Sequence, residues 1–227
     1  MEKPSLKREI ITTSDGSHTL YIPELNENYH STHGAIQESM HVFIRSGLEL
    51  FKEDQEISIL EIGFGTGLNA LLALNFASKN MIQIFYKTVE KYPITEKEYS
   101  QLNFANNIDK DLQDAFLKMH QSEWNVDVSI HDSFTLNKLN GDLIYTSFEH
   151  RFNVIFFDAF APDIQPKLWT VEVFKKMYKS LVNNGVLVTY SAKGQVRRNM
   201  IEAGFKVERL PGPPGKREML RAIKTGY

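Results

Sequence analysis

Three glycines at alternate positions, Gly63, Gly65 and Gly67, sit between two apolar runs in the stretch Glu61-Ile62-Gly63-Phe64-Gly65-Thr66-Gly67-Leu68-Asn69. Glycine lets a backbone turn sharply and pass close to a ligand at the start of a helix. The spacing is G-x-G-x-G, not the G-x-G-x-x-G of dinucleotide folds, and a tight turn without a ligand is the plainer reading. Glu90 ends the next β-prone run, 23 residues past the last glycine. An acid there can accept hydrogen bonds from ribose hydroxyls. Glu61, before the first glycine, can hold a cationic group; otherwise it is a solvent-facing charge. Asn69, at the end of the stretch, is counted with the same turn. Asp132, in His131-Asp132-Ser133, can accept from the exocyclic amine of a base or cap the next segment. Asp158 ends a fourth apolar run in Phe156-Phe157-Asp158-Ala159-Phe160-Ala161-Pro162. A carboxylate there can orient a nucleophile and take its proton, or cap the following turn. Its aromatic neighbours, Phe160 among them, suit a flat base held by stacking.

These residues need elements to position them. Ile57–Ile62, Ile82–Val89, Val126–Ile130, Val154–Phe157 and Gly185–Tyr190 read as strands. Between them fall helical stretches at Leu68–Ala77, Thr95–Gln121 (two helices) and Thr170–Leu181; a further helix, Gln195–Ala203, follows the fifth strand and stops at Gly204. Strands alternating with helices predict a doubly wound, mostly parallel α/β sheet, with the ligand crevice beyond the strands' carboxyl ends. Phe205–Leu210 and Met219–Ile223 flank Pro211–Gly215 and predict a closing antiparallel pair. Upstream, Arg8–Ile22 alternates around Asp15-Gly16, a hairpin signal. Tyr29–Leu50 has apolar residues at helical spacing and predicts one helix capped by Ser31 or Thr32. The expected division is an N-terminal hairpin and helix extension over 1–50 and the main domain over 51–227.

Composition narrows the chemistry. The 227 residues contain no cysteine, which excludes disulfides, thiol catalysis and Cys-based metal sites. His18, His30, His33, His41, His120, His131 and His150 are scattered, so no metal is expected. No apolar run approaches a bilayer span and the start lacks a leader's apolar region, so no membrane partner and a cytoplasmic location are expected. From Leu187 to Tyr227 nine Lys and Arg face three Glu, a local charge of +6 on a chain of net −2. Such an end suits a polyanion or is simply a solvated surface.

The motifs GFGTGLNALLAL, EKYPI, FDAFAPDIQPKLWT, VRRNMIEAGF and GKREML occur together from about Tyr29 to Ile223. Together they resemble the MnmC-type tRNA methyltransferases. The resemblance implies a class I methyltransferase fold (Rossmann-like, with an antiparallel C-terminal strand) and S-adenosylmethionine as methyl donor. It implies the amine of 5-aminomethyl(-2-thio)uridine at the tRNA wobble position as acceptor. Gly63, Gly65, Gly67 and Glu90 would touch the cofactor, Asp132 would lie near its adenine, and Asp158 would lie at the reacting amine. Glu61 would face the donor's amino group. Lys193, Arg197 and Arg198, on the rim near Asp158, and Lys216 and Arg217, in the last turn, would hold tRNA phosphates. Two-domain members carry a fused FAD-dependent oxidase. These residues include no such domain, so no FAD is expected and another enzyme would supply the aminomethyl-uridine. The segment YHSTHGAIQES departs from the family's usual wording, so Tyr29, His30 and Glu38 are not counted among the contacts. Other readings are a class I methyltransferase acting on a small molecule or a protein, a spermidine-synthase-like aminopropyltransferase, a dinucleotide-binding oxidoreductase or sensor, and a non-catalytic RNA-binding module.

Overall fold

The computed structural model describes residues 7–149 and 151–226. Residues 1–6, part of the start read as leaderless, together with His150 and Tyr227, lie outside the described residues. Strands β1 (Glu9–Thr12) and β2 (His18–Ile22) form the expected hairpin, with Thr12 opposite His18. Asp15 tightens its turn by accepting from Thr13 Oγ1 at 2.7 Å and Ser17 N at 3.1 Å. A two-residue β3 (Glu27–Asn28) adds a third strand.

The single helix expected over 29–50 is not formed. Helix α1 spans only Ala35–Ser39, continues as a π-helix over Met40–Arg45, and is followed by a 3-10 turn at Leu48–Phe51. Gly34, not Ser31 or Thr32, precedes α1. Both expected caps are engaged elsewhere: Ser31 N donates to Glu38 Oε2 at 2.7 Å, and the Thr32 carbonyl accepts from Ser14 N at 2.9 Å. Hydrogen bonds to neighbouring segments thus hold 29–34 outside the helix.

The main sheet begins with β4 (Glu56–Ile62), helix α2 (Leu68–Asn80) and β5 (Gln83–Glu90). Short helices α3 (Glu96–Tyr99), α4 (Phe104–Ile108) and α5 (Gln113–Gln121) follow. Next come β6 (Asp127–His131), β7 (Phe134–Asn140) and β8 (Phe152–Phe157). Helix α6 (Val171–Ser180), β9 (Leu181–Thr189), helix α7 (Gly194–Glu202), β10 (Lys206–Pro211) and β11 (Glu218–Ile223) complete it. The eight strands lie in the order β10-β11-β9-β8-β4-β5-β7-β6. Neighbours from β9 across to β7 pair parallel, and β11 enters antiparallel between β9 and β10, as expected.

One strand differs from expectation. The run read as the third parallel strand, β6, is an antiparallel edge strand folded onto β7. The parallel strand is β7 itself, whose pattern is obscured by Lys138, a fully buried lysine. Its Nζ donates to the His120 carbonyl at 2.8 Å and lies 4.6 Å from the centre of the Trp124 ring, which satisfies the charge inside the protein.

Alternation along the strands feeds two cores. Ile57, Ile59, Tyr86 and Phe156 pack with α2, α4 and α5 on one face; Leu60, Ile62, Ile155 and Phe157 pack with α6 and α7 on the other. Leu20, Ala35 and Val42 belong to the first core, so the N-terminal segment is packed into the protein's interior. Strand order reverses between the parallel neighbours β4 and β8, which puts the residues just after these two strands at the switch point.

Candidate active site

A cavity of about 620 Å³ opens at that switch point. Its floor is the turn after β4, with Glu90 at the end of β5, Asp142 after β7, Asp158 after β8 and Tyr190 after β9 around it. The size suits a small-molecule ligand.

The glycine turn packs against its surroundings through bare backbone. Gly65 has φ +50°, and a Cβ there would stand 3.2 Å from the Tyr29 ring; at Gly63, φ +93°, it would stand 3.0 Å from the Asp158 carbonyl. Glu90 accepts from Gly65 N at 3.0 Å and from Tyr92 N at 2.7 Å while it lines the cavity. Two histidines hold Thr66 from opposite sides. His120 Nε2 donates to the Thr66 carbonyl at 3.1 Å, and His30 Nε2 lies 3.3 Å from Thr66 Oγ1. Burial lowers His30 to about 4 and His120 to about 3, so both are neutral near pH 7.

Asp158 is half-buried at the other side of the switch point. Asn69 Nδ2 donates to Asp158 Oδ2 at 2.8 Å and to Glu61 Oε1 at 3.0 Å, a single amide between two carboxyls. Burial first, and then the nearby Glu38, raise Asp158 to about 7, with Asn69 and Lys216 opposing. The loop after Asp158 is held by side chains of its own motif: Phe160 N donates to Gln165 Oε1 at 3.0 Å, and Trp169 Nε1 donates to the Phe160 carbonyl at 2.9 Å. Phe160 meets Tyr29 edge-on, with ring centres 5.1 Å apart.

The structure brings Gly63, Gly65, Asn69, Glu90, Asp158 and Phe160 to one cavity, with Gly67 at the head of α2. Three expectations are corrected. Glu61 is fully buried behind Asn69 and does not line the cavity. Burial and the charge of Asp158 push it well above the ordinary carboxylate range, which favours the neutral acid over a carboxylate facing a cation. Asp132 is exposed in the β6–β7 turn, at the amino end of β7 and on the opposite edge of the sheet from the cavity. The residue at the carboxyl end of the third parallel strand is Asp142, which does line the cavity. Burial opposes its ionisation, but Ile144 N–H (3.0 Å) and Lys91 (2.9 Å) outweigh that and lower it. Lys216 is turned inward: Nζ lies 2.6 Å from Glu38 Oε1, so it is no outward phosphate contact. Of the other basic residues, Lys193 pairs with Asp163, Arg198 bonds Gln195, Arg197 is half-buried and Arg217 is exposed. Arg209 and Arg221 pair with Glu218 and Glu208, two of the three acids in this stretch.

Tyr29, His30 and Glu38, set aside on sequence grounds, line the cavity, as do Arg8 and Tyr190. Arg8 Nε donates to Tyr29 Oη at 2.9 Å and its guanidinium pairs with Glu98, joining β1 to the main domain. Asn140-Gly141-Asp142 was the available signal for Asp142, a turn pair followed by an acid. Among the described residues no group of three or more His, Asp or Glu is placed to hold a metal, and no helix is long and apolar enough to cross a membrane.

A family model described as S-adenosyl-L-methionine-dependent methyltransferase matches residues 139–225. The tRNA 5-methylaminomethyl-2-thiouridine biosynthesis bifunctional protein MnmC of Pseudomonas savastanoi pv. phaseolicola is 29% identical, over 87% of this chain and 32% of its own length. Its namesake from Campylobacter fetus subsp. fetus is 28% identical, over 89% of this chain and 34% of its own. The chain thus spans about a third of the length of these curated relatives. The crystal structure of MNMC2 from Aquifex aeolicus superposes with a TM-score of 0.76 at 28% identity, covering 97% of this chain and 72% of that one. The glycine cradle, Glu90 beneath it and Asp142 beside it fit an adenosyl cofactor. Fold, cavity and these likenesses agree on an MnmC-like methyltransferase domain of the class I fold, with S-adenosylmethionine as its cofactor.

Proposed function

We propose that this chain methylates the amine of 5-aminomethyl(-2-thio)uridine at the tRNA wobble position, with Asp158 as the group that orients the amine and accepts its proton. The observation that carries the reading is a carboxyl with a raised pKa, held by Asn69 at 2.8 Å, in the same cavity as the glycine cradle. The names printed for the relatives support the choice of acceptor.

The cofactor supplies an electrophilic methyl on a sulfonium. Gly63, Gly65, Glu90 and Asp142 are assigned to hold it. An alkylamine has a pKa near that of lysine, about 10.4, and arrives protonated. Handing that proton to a carboxyl at 3.8 is uphill by roughly 6.6 units; to one at about 7 it is uphill by roughly 3.4 units, or ~4.6 kcal/mol. The raised pKa therefore removes close to half of the proton-transfer cost. Asp158 then aligns the amine's lone pair, a positioning effect. Phe160 and Tyr29 offer ring surface to the uracil. Arg198 and Arg217, exposed, with Arg197 and Lys193 beside them, are assigned to backbone phosphates. A separate enzyme is assigned to make the aminomethyl-uridine, and the cytoplasm is the proposed site of action.

The test is the nucleoside profile of tRNA from cells lacking the protein, together with methylation of that tRNA by the purified chain. Accumulation of 5-aminomethyl-type uridine, consumed in vitro with S-adenosylmethionine, is expected. An unchanged profile, or methylation of small amines or proteins but not of this tRNA, would replace the reading with a small-molecule or protein methyltransferase. Turnover only with a decarboxylated donor would make it an aminopropyltransferase.

A further inference from the structure

Lys216 lies in the turn between β10 and β11, yet its ammonium enters the cavity. It is 2.6 Å from Glu38 Oε1, across 178 residues of sequence, and 4.1 Å from the centre of the Tyr190 ring. Glu38 is buried, its side chain only 8% exposed, and its second oxygen accepts from Ser31 N at 2.7 Å. Tyr190 Oη donates to the carbonyl of Ala159, the residue after Asp158, at 2.9 Å. The turn is seated firmly. His41 Nε2 meets the Pro211 carbonyl at 2.8 Å, and a Cβ on Gly215 would collide with His33. Glu38, Lys216 and Tyr190 therefore form a fixed charged wall beside Asp158, built from both ends of the chain.

We propose that the Lys216–Glu38 pair sets the protonation of Asp158, with the lysine holding the carboxylate ionised and the glutamate opposing it. This rests on the role given to Asp158 above. The groups facing Asp158 are Glu38 from α1, Glu61 from β4, Tyr86 from β5, Tyr190 after β9 and Lys216 from the last turn. Of these Lys216 is the one cation. Glu61 is held toward its neutral form by burial and both tyrosines are raised, so Glu38 and Lys216 are the pair whose charges act at neutral pH. Paired, they act on Asp158 in opposite directions, the glutamate raising it and the lysine lowering it. The cavity then admits a cationic acceptor without a bare lysine repelling it, and Asp158 stays a stronger base than an exposed aspartate. Lys216 acts through Asp158 and does not touch the reacting atoms.

The experiment is a 13C-carboxyl NMR titration of Asp158 in the full chain labelled at aspartate, with the signal assigned by Asp158→Asn. Removing a neighbouring cation should raise the midpoint and removing a neighbouring anion should lower it, each by roughly half to one unit. Lys216→Met is expected to move it up, Glu38→Gln down, and Lys216→Arg to return it to the wild-type value. Shifts of the same sign, or no shift, in variants with native thermal midpoints would overturn the proposal. This readout needs no acceptor, so it stands apart from the tRNA reading. The acidic limb of kcat/KM is a second readout, expected to move in the same two directions. If that limb stays put while the NMR midpoints move as expected, the charge pair holds and the proton-accepting role of Asp158 is what fails.

Discussion

The two walls of the cavity are built in opposite ways. The cofactor wall comes mainly from one stretch of about thirty residues, Gly63 to Glu90, joined by Asp142, and is built largely of backbone. The acceptor wall takes single side chains from distant places: Tyr29 and Glu38 near the start, Asp158 and Phe160 in the middle, Tyr190 and Lys216 toward the end. Close backbone approach depends on local turn geometry, which glycine spacing encodes directly. A tuned carboxyl depends on charges and burial that only the assembled fold provides.

The sharpest way to test this division is Asp158→Ala. Turnover should fall by at least about a thousandfold, while S-adenosylmethionine affinity, by calorimetry, stays within about tenfold. Loss of both together would move Asp158 to the cofactor wall. The walls should also respond oppositely to pH. Asp158 is raised in the folded state, so its contribution is present below about 3.8 and is lost as pH rises through about 7. Asp158→Asn should therefore be more stable than wild type at pH 8, by up to about 4 kcal/mol, with the advantage gone near pH 4. His120 is lowered, so its contribution is present above 6.5 and is lost as pH falls toward 3. His120→Phe should gain on wild type between pH 7 and 4, by up to about 3 kcal/mol. Urea midpoints across that range test both signs; parallel trends would erase the contrast.

Smaller effects sharpen it further. Gly65→Val places a side chain at φ +50° against Tyr29 and should weaken S-adenosylmethionine binding about a hundredfold, or ~2.7 kcal/mol. Removing Arg197 and Arg198 together should lower the log–log salt slope of tRNA binding by roughly 1 to 2, measured by filter binding. The smallest expected effect separates two acids: Asp132→Ala should leave cofactor affinity unchanged, and Asp142→Ala should weaken it several-fold.

Legibility in the sequence follows the same line. The glycine turn, Glu90 and Asp158 follow or end strands with recognisable apolar patterns, so their addresses could be read. Asp142 escaped because its strand carries Lys138, a charge buried only because the His120 carbonyl and the Trp124 ring receive it. That placed the third strand one segment early and turned attention to Asp132. Glu61 was read as a contact to the cofactor, since nothing local reveals that Asn69 stands between it and the cavity. Helical spacing over 29–50 was real, but Ser31 and Thr32 had partners that only tertiary structure reveals. Lys216 looked like a surface charge because its partner is 178 residues away.

That last separation has a bearing on synthesis. A ribosome finishes the glycine turn and β5 well before the last hairpin, while β8, which pairs with β4 beside that turn, is still unmade. The electrostatics of the methyl acceptor cannot exist until the turn holding Lys216 emerges and lands on Glu38. The pair that tunes Asp158 is thus among the last features of the protein to be made, because Lys216 sits in the hairpin that also supplies the buried Met219, Leu220 and Ala222.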